Sequence, residues 1–455
     1  MSHTEPLSGL DAAFLALDTK STPMHMGAIA VFRPDGEVDL PRLTSLLAER
    51  ARTIPQLRLR VRTTWVPPTG AMWQPDQCFD AARHIRLRRI DRPAEPGALM
   101  RCASEWIAEP LRSNQALWSI DVVPGLQDGE FAILLKLHHA LTDGTGAVEV
   151  AAGLLDGVPR RLATKRPAAS SEPPAESATS LASIGRSALA AGPTAMRALS
   201  RSVGQAATTA EVAYQLGRAI RPWHSSPIAA PNSTARQLSF VRLDTADLRR
   251  IRKMHGGTSN DVVLAVLSGA LRTWLNSRDE PVDGLTLRAL IPVSLRGRNV
   301  EQSGGNRLSG YLCDLPVGIA DPIERLRTVR EAMERNKSAG PLKGAGTLPM
   351  LANRIPALVH LLATGLVGNG GNALFDTVVT NVPLPGAALS LDGAALRASY
   401  PVVPLAPGQA LAVAISPYLD RVNVGLHADG RAIPDLDVLT AAIEKETARL
   451  HELCA

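Results

Sequence analysis

The sequence predicts a mixed α/β protein of two domains, on three observations. The chain has 455 residues, too many for one ordinary core, which predicts two domains of about 200 residues each. Strand-like runs alternate with amphipathic helical patterns in both halves. Between the halves, KRPAASSEPPAESATS (165–180) has the composition of a flexible linker. We therefore expect a first domain at 1–160, a linker and basic helical segment at 161–235, and a second domain at 236–455.

The individual elements follow from hydrophobic periodicity and from turn residues. In the first half we predict strands at GAIAVF (27–32) and EFAILLKL (130–137) and helices at 41–53, 97–108 and 144–157, the last closed by Gly157. In the second half we predict strands at 237–243, 285–295, 376–382, 410–417 and 421–428, and helices at 246–256, 260–275, 321–336 and after Pro434.

Composition excludes several functional classes. The net charge of +6 and the isoelectric point of about 9.4 favour anionic surfaces or ligands, but only 4% of residues are aromatic and no base-recognition module occurs. The four cysteines form no C-x-x-C pair, so neither a zinc site nor a disulfide framework is predicted. The first 20 residues lack the pattern of a secretory signal. IPALVHLLATGLVG (355–368) is shorter than the ~20 residues that span a bilayer. We expect a cytoplasmic protein.

Residues 181–222 form a basic, Ala-rich segment with apolar residues at three- and four-residue intervals. One interpretation is an amphipathic helix that binds an anionic lipid surface. The other is a helix that packs across the two domains, since an apolar helical stripe usually faces a core.

A histidine pair ends the predicted strand 130–137, in the sequence HHALTDG (138–144). A neutral imidazole can take a proton from a hydroxyl group and return it within one turnover. Successive side chains of a strand point to opposite sides, so we expect His138 and His139 to diverge, one into packing and one towards a cleft. Asp143 could accept backbone N–H bonds or pair with an arginine. Gly144 and Gly146 would permit a sharp turn.

Core packing, metal binding and nucleotide binding are competing interpretations of the HHALTDG segment. A single buried histidine is more often a satisfied core residue than a catalyst. A metal site would need further ligands at fixed spacing, but Ala140 and Leu141 follow the pair. The G-x-G at 144–146 lacks the third glycine of a dinucleotide turn, where Glu149 stands, and no G-x-S-x-G is present.

HHALTDG is similar to the HHxxxDG motif of the coenzyme A-dependent acyltransferase superfamily, which includes chloramphenicol acetyltransferase and nonribosomal peptide condensation domains. The whole chain more narrowly resembles the bacterial wax ester synthase/diacylglycerol acyltransferase family. The similar segments follow the family's order: LSGLDAAFLALDTKSTPMHMGAIAVF (7–32), ALW (116–118, with Ala116 where the family has Pro), TSNDVVLAVLSGALR (258–272), IPVSLRGR (291–298), GNRLSG (305–310) and TNVPLPG (380–386).

The resemblance implies two chloramphenicol acetyltransferase-like domains with a channel between them and His139 at its centre. It implies that His139 is the general base, that His138 supports it, and that Asp143 is structural and pairs with Arg296. Gly144 would keep the turn tight beside the thioester. No metal, cofactor or covalent acyl-enzyme is implied, and acyl-CoA is a co-substrate.

The segment from Thr258 to Asp261 and the identity of the oxyanion donor each have two interpretations. Thr258 to Asp261 fits a helix capping box, so Asn260 and Asp261 either stabilise a helix end or contact substrate. The oxyanion donor could be Asn260 or a backbone amide near Gly144. Trp118 is expected to be packing.

We therefore expect an O-acyltransferase that moves a long-chain acyl group from acyl-CoA to diacylglycerol or a long-chain alcohol. The apolar segments 181–222 and 348–368 would supply peripheral contact with the inner membrane face or lipid droplets. The alternatives are a carrier-protein-dependent lipid acyltransferase of the polyketide-associated type and a non-catalytic lipid-binding or lipid-droplet protein.

Overall fold

The structure is a computed structural model that describes residues 5–63, 71–90, 95, 97–112, 114–142, 144–158, 226–294, 308–339 and 374–454. The strands in these ranges are β1 (Glu5–Pro6), β2 (His25–Arg33), β3 (Leu59–Thr63), β4 (Ala71–Pro75), β5 (Ile85–Leu87), β6 (Trp118–Val123), β7 (Phe131–His138), β8 (Arg236–Asp244), β9 (Leu287–Ser294), β10 (Leu308–Leu315), β11 (Thr377–Asn381), β12 (Ser390–Leu391), β13 (Ala394–Val402), β14 (Leu411–Tyr418) and β15 (Arg421–Asp429). The helices are α1 (Gly9–Leu17), α2 (Leu40–Thr53), α3 (Ala98–Ala108), α4 (Gly144–Leu154), α5 (Thr245–His255), α6 (Ser259–Asn276), α7 (Pro322–Ala339) and α8 (Leu436–Glu452).

The strands form three mixed or antiparallel sheets. The first sheet has the order β12-β13-β2-β7-β6-β5, and the second sheet has the order β10-β9-β11-β14-β15-β8. A small sheet, β1-β4-β3, lies beside them in the first half. Mixed sheets with helices on their faces confirm the predicted mixed α/β class.

One strand joins the two large sheets: β13 belongs to the second half of the chain, but it pairs with β2 of the first sheet. Its antiparallel pairing runs from Ala395 opposite Arg33 to Val402 opposite Gly27. The next strand, β14, belongs to the second sheet. At this junction Gly425 of β15 lies so close to β13 that a Cβ atom there would overlap the carbonyl oxygen of Pro401. The first sheet thus takes two strands, β12 and β13, from beyond residue 235.

Both faces of β7 are buried, and its side chains alternate between two apolar clusters. Leu135 and Leu137 belong to the cluster that includes Leu43 and Leu47 of α2. Leu134 belongs to the cluster that includes Trp106 of α3. A strand buried on both faces reads as a continuous apolar run, as EFAILLKL does.

Every helix and strand that the periodicity predicts has a counterpart in the structure. In the first half these are β2, α2, α3, β7 and α4, and in the second half β8, α5, α6, β9, α7, β11, β14, β15 and α8. Helix α4 ends at Leu154, before the predicted stop, and Gly157 follows in the left-handed region at φ 80°. The strands β1, β3 to β6, β10, β12 and β13 and the helix α1 were not predicted.

Three segments singled out in the sequence fall outside the described residues. They are the linker at 165–180, the basic segment at 181–222 and the apolar stretch 348–368. Among the helices that the structure describes, none is long and apolar enough to cross a membrane.

Lys136 is a buried lysine on β7, with 1% of its surface exposed, beneath the end of α3. Its Nζ donates hydrogen bonds to the carbonyl oxygens of Trp106 and of Glu109, the latter at 2.6 Å, and lies 4.8 Å from the centre of the Trp106 ring. These carbonyls belong to the C-terminal end of α3, where the helix dipole favours a cation. Burial lowers the pKa of Lys136 to about 7, although Glu109 and Asp121 act in the opposite direction.

This burial predicts a pH dependence of stability that Lys136→Met removes. An unfolded lysine keeps a pKa of about 10.4, so between pH ~7 and ~10 the unfolded chain binds one more proton than the folded chain. The free energy of unfolding should therefore rise with pH in that window, by up to about 1.4 kcal/mol per pH unit. Urea unfolding of the wild type and of Lys136→Met at several pH values measures the difference, with the exposed Lys253→Met as control. If the free energy of unfolding changes with pH equally in the wild type and in Lys136→Met, the prediction is contradicted.

Candidate functional site

The histidine pair lies at the end of β7, where its backbone is bonded to both neighbouring segments. The His138 N–H donates to the carbonyl oxygen of Leu117 at 3.0 Å, and the His139 N–H donates to that of Met24 at 2.8 Å. Strand geometry places the two side chains on opposite sides. His138 is 2% exposed and His139 is half-buried. The two side chains thus differ in burial, and the expected cleft beside His139 stays a prediction.

The hydrogen bonds of His138 assign it a structural position. Its Nδ1 accepts the N–H of Ala140 at 3.0 Å, so in the neutral ring the proton is on Nε2. That Nε2 lies 3.7 Å from Oδ2 of Asp18. One ring nitrogen therefore holds the turn after the strand, and the other faces a carboxylate.

Asp18 connects the end of α1 to this histidine. Its Oδ1 accepts the N–H of Met24 at 2.8 Å, one residue before β2. Burial alone would raise the pKa of the Asp18 carboxyl, but His138 and the Met24 amide outweigh burial and hold that pKa below its ordinary value. Asp18 is therefore a carboxylate at neutral pH.

His25 faces His138 across the β2–β7 pair and is equally buried. Its Nε2 donates to the carbonyl oxygen of Ile107 at 2.7 Å. Burial, together with the charge of the nearby Lys136, lowers the pKa of His25 to about 3. The imidazole of His25 is therefore neutral, and it joins β2 to α3 beneath the pair.

His139 faces the N-terminal helix. Its ring stacks on Phe14 of α1, with the ring centres 4.1 Å apart and the planes 23° apart, and its Nδ1 atom is buried. The surrounding apolar cluster joins α1, the small sheet and the turn itself. It is built of Leu7, Trp73, Leu117 and Ala140 with Phe14, Leu15, Leu59, Val61, Ala71 and Leu141 packed against them.

Gly144 begins α4 and brings the turn next to the second half of the chain. A Cβ atom on Gly144 would lie 4.0 Å from Cγ2 of Val382, which follows β11. Gly144 is the first residue of α4, and its expected place in a tight turn beside the thioester stays a prediction, because the preceding Asp143 lies outside the described residues. The motif TNVPLPG and the histidine turn therefore meet at this point.

Two predicted site residues, Asp143 and Arg296, lie outside the described residues. Their pairing stays a prediction.

Asn260 and Asp261 lie at the start of α6, where the capping interpretation of Asp261 is confirmed. The side chain of Thr258 accepts the N–H of Asp261 at 3.3 Å, and Oδ2 of Asp261 accepts the N–H of Thr258 at 2.7 Å. Asp261 is 2% exposed. Within the described ranges, neither Asn260 nor Asp261 forms a hydrogen bond or ion pair with the histidine pair. Asp261 stabilises a helix end.

Trp118 is a packing residue, as expected. It is fully buried, stacks on His84 at 4.4 Å between ring centres and donates from Nε1 to the carbonyl oxygen of Leu57 at 2.8 Å. The adjacent Ala116 is also buried. The ALW segment thus supports the first sheet.

Sequence reasoning missed three residues around the pair: Phe14, Asp18 and His25. The helix that carries Phe14 had a readable signal, because SGLD (8–11) is a capping box in which Ser8 and Asp11 bond each other's backbone N–H at 3.1 and 3.3 Å. The contacts of Asp18 and His25 with distant parts of the chain had no local signal. In the described part of the chain, no group of three or more His, Cys, Asp or Glu side chains could hold a metal ion.

Comparisons with known proteins agree with this arrangement over nearly the whole chain. The family model of the wax ester synthase/diacylglycerol acyltransferase catalytic domain matches residues 7–263, and that of the WS/DGAT C-terminal domain matches residues 304–451. A Mycobacterium tuberculosis protein named as a probable diacylglycerol O-acyltransferase is 31% identical over 456 residues, with 99% of this chain and 96% of the relative covered.

Solved structures show the same fold. The wax ester synthase/diacylglycerol acyltransferase from Marinobacter aquaeolei VT8 superposes with a TM-score of 0.70 at 24% identity, covering 99% of each chain. The first condensation domain of the CDA synthetase superposes with a TM-score of 0.59 at 18% identity, covering 100% of this chain and 96% of that one. The chain belongs to the wax ester synthase/diacylglycerol acyltransferase family and is an acyltransferase.

Proposed function

We propose that His139 is the general base of an O-acyl transfer from long-chain acyl-CoA to diacylglycerol, a long-chain alcohol, or both. The observation that carries this proposal is the difference between the two imidazoles. His138 is 2% exposed and bonded to the Ala140 N–H, whereas His139 is half-buried and stacks on Phe14. Since Nδ1 of His139 is buried, Nε2 is the nitrogen that we assign to the incoming hydroxyl.

The transfer then proceeds in one direct exchange. The acceptor oxygen forms a bond to the thioester carbonyl carbon as its proton moves to Nε2 of His139. The tetrahedral intermediate collapses when the C–S bond breaks, and the coenzyme A thiolate takes the proton from the imidazolium. The products are an ester and free coenzyme A, and the imidazole returns to its neutral form.

The negative charge on the carbonyl oxygen requires a donor, which is worth about 3 kcal/mol in such reactions. Backbone N–H groups at the start of α4 are better candidates than Asn260. The first N–H groups of a helix have no partner within the helix and carry its positive dipole end. Gly144 is the first residue of α4 and follows His139 by five residues in the chain.

Lipid substrates would reach the site through the channel between the domains that the family resemblance implies. We propose that the basic segment 181–222 and the apolar segment 348–368 hold the protein peripherally at a membrane or lipid-droplet surface. The net charge of +6 favours such an anionic surface.

Two alternatives differ from this proposal: one uses another acyl donor, and the other transfers no acyl group. A carrier-protein-dependent acyltransferase would release more product from an acyl carrier protein than from acyl-CoA when both are present. A lipid-binding protein would bind diacylglycerol without releasing coenzyme A. Thiol release from palmitoyl-CoA and from a palmitoyl carrier protein, each measured with diacylglycerol and with a panel of alcohols, separates all three.

Replacing the proposed base tests the mechanism. In the palmitoyl-CoA assay, His139→Ala should lower turnover roughly 10²- to 10⁴-fold while its melting temperature stays close to that of the wild type. The matched control is His451→Ala, a 37%-exposed histidine on α8. Near-normal thiol release by well-folded His139→Ala would contradict the assignment.

The proposed Asp143–Arg296 pair is tested by a double-mutant cycle. Each single change, Asp143→Ala and Arg296→Ala, should lower the melting temperature and turnover, and the double variant should lose little more than either single variant, because the second change removes a partner already lost. Additive losses, or single variants with unchanged stability and activity, would show that the two residues do not interact.

A further inference from the structure

Helix α1 is a rigid element packed against the histidine turn. Its N-terminus is closed by the Ser8–Asp11 capping box, and Ala12 and Ala13 are buried. Its apolar face joins the cluster that contains Leu117, whose carbonyl oxygen accepts the His138 N–H, and Ala140, which follows the pair in the chain. A helix fixed at its start and along one face can hold its other side chains in constant positions.

Two side chains of α1 reach the two histidines separately. Phe14 stacks on the His139 ring at 4.1 Å, an offset stack that fixes the plane of the imidazole. Four residues later, at the end of the helix, Asp18 accepts the Met24 N–H at 2.8 Å and faces Nε2 of His138 at 3.7 Å. Asp18 is the C-cap residue of α1, so the position of the helix determines where both side chains lie.

The contacts of Asp18 also determine the position of the His139 backbone. The residue that Asp18 binds, Met24, is the one whose carbonyl oxygen accepts the His139 N–H at 2.8 Å. Asp18 therefore holds the acceptor of the His139 backbone bond, and Phe14 holds the His139 ring. A general base must lie within about 3 Å of the proton it removes, and a displacement of about 1 Å can cost roughly a hundredfold in rate.

We propose that Phe14 and Asp18 are positioning residues for acyl transfer, with Phe14 setting the plane of the His139 imidazole and Asp18 setting the backbone and the neighbouring His138. This inference rests on the proposed role of His139. It makes α1 part of the active site although no residue of α1 takes part in a chemical step.

The Phe14 stack is tested with Phe14→Leu, which keeps an apolar side chain, and Phe14→Tyr, which keeps the six-membered ring. Phe14→Leu should lower kcat roughly ten- to a hundredfold with little change in KM for palmitoyl-CoA, and Phe14→Tyr should keep most of the rate. The matched control is Phe32→Leu, which removes another stacked phenyl ring, 5.3 Å from that of Phe131. Phe32 is roughly 23 Å along β2 from the pair, so Phe32→Leu should lower stability without the selective loss of kcat.

An NMR experiment measures whether the His139 imidazole is stacked on residue 14. In protein labelled with ¹³C at histidine Cε1, the NMR signal of the His139 Cε1–H group is identified because it is absent from the spectrum of His139→Ala. Removal of the phenyl ring in Phe14→Leu should shift that signal downfield, because a proton above an aromatic face is shielded. Phe14→Tyr should leave it near the wild-type position.

Asp18 is tested with Asp18→Ala and with the conservative Asp18→Asn. Asp18→Ala should lower kcat, and Asp18→Asn should recover part of it, because an amide oxygen can still accept the Met24 N–H. Asp244→Ala is the control: Asp244 also accepts one backbone N–H at a helix end, that of Ala246 at 2.8 Å, but lies on β8. Asp244→Ala should leave kcat unchanged.

The outcomes separate this inference from the proposed function. A His139 signal unmoved in Phe14→Leu, or an equal loss of kcat in Phe32→Leu or Asp244→Ala, would overturn the positioning role. A shifted signal with unchanged kcat would also overturn it, because the orientation of the ring would then not limit the reaction. If His139→Ala remains active, the general-base assignment fails by itself, and the spectrum still reports whether Phe14 holds the ring.

Discussion

The site depends on the two backbone hydrogen bonds that hold the end of β7. The His138 N–H donates to Leu117, next to β6, and the His139 N–H donates to Met24, next to β2. With the backbone held from both sides, side-chain alternation leaves one orientation for each ring. His138 is buried in packing, and His139 stacks on Phe14 of α1. Two adjacent imidazoles thus have different surroundings without any difference in side-chain chemistry.

Several buried polar groups beneath the sheet are tolerated because they have partners at the end of α3, in the turn after β7 or at the C-cap of α1. His25 bonds the Ile107 carbonyl, Lys136 bonds the carbonyls at the end of α3, and His138 bonds the Ala140 N–H and faces Asp18 at the end of α1. An unpaired buried polar group would cost about 1–3 kcal/mol, so these partners make the arrangement specific. They also couple α3 to the strand that ends in the pair. A change at the end of α3 is therefore expected to reach the histidines through β7.

Local patterns were sufficient for much of the fold and for the centre of the site. The run EFAILLKL and the capping box at Thr258 each carry their structural signal within a few neighbours, and the structure contains both the strand and the cap. The transfer of β13 to the first sheet could not be predicted, because its partner β2 is more than 360 residues away in the chain and many strands have similar apolar patterns. The partners of Asp18 and His25 were missed for the same reason.

The central claim is that the imidazole of His139 exchanges the proton of the acceptor hydroxyl. The most direct measurement is the pKa of His139, from the pH dependence of its labelled Cε1–H signal, compared with the pKa that governs kcat/KM for acyl transfer in the same buffer. The account predicts that the two values coincide and that activity is lost as the ring becomes protonated. A rate that stays constant while the His139 ring titrates would contradict it.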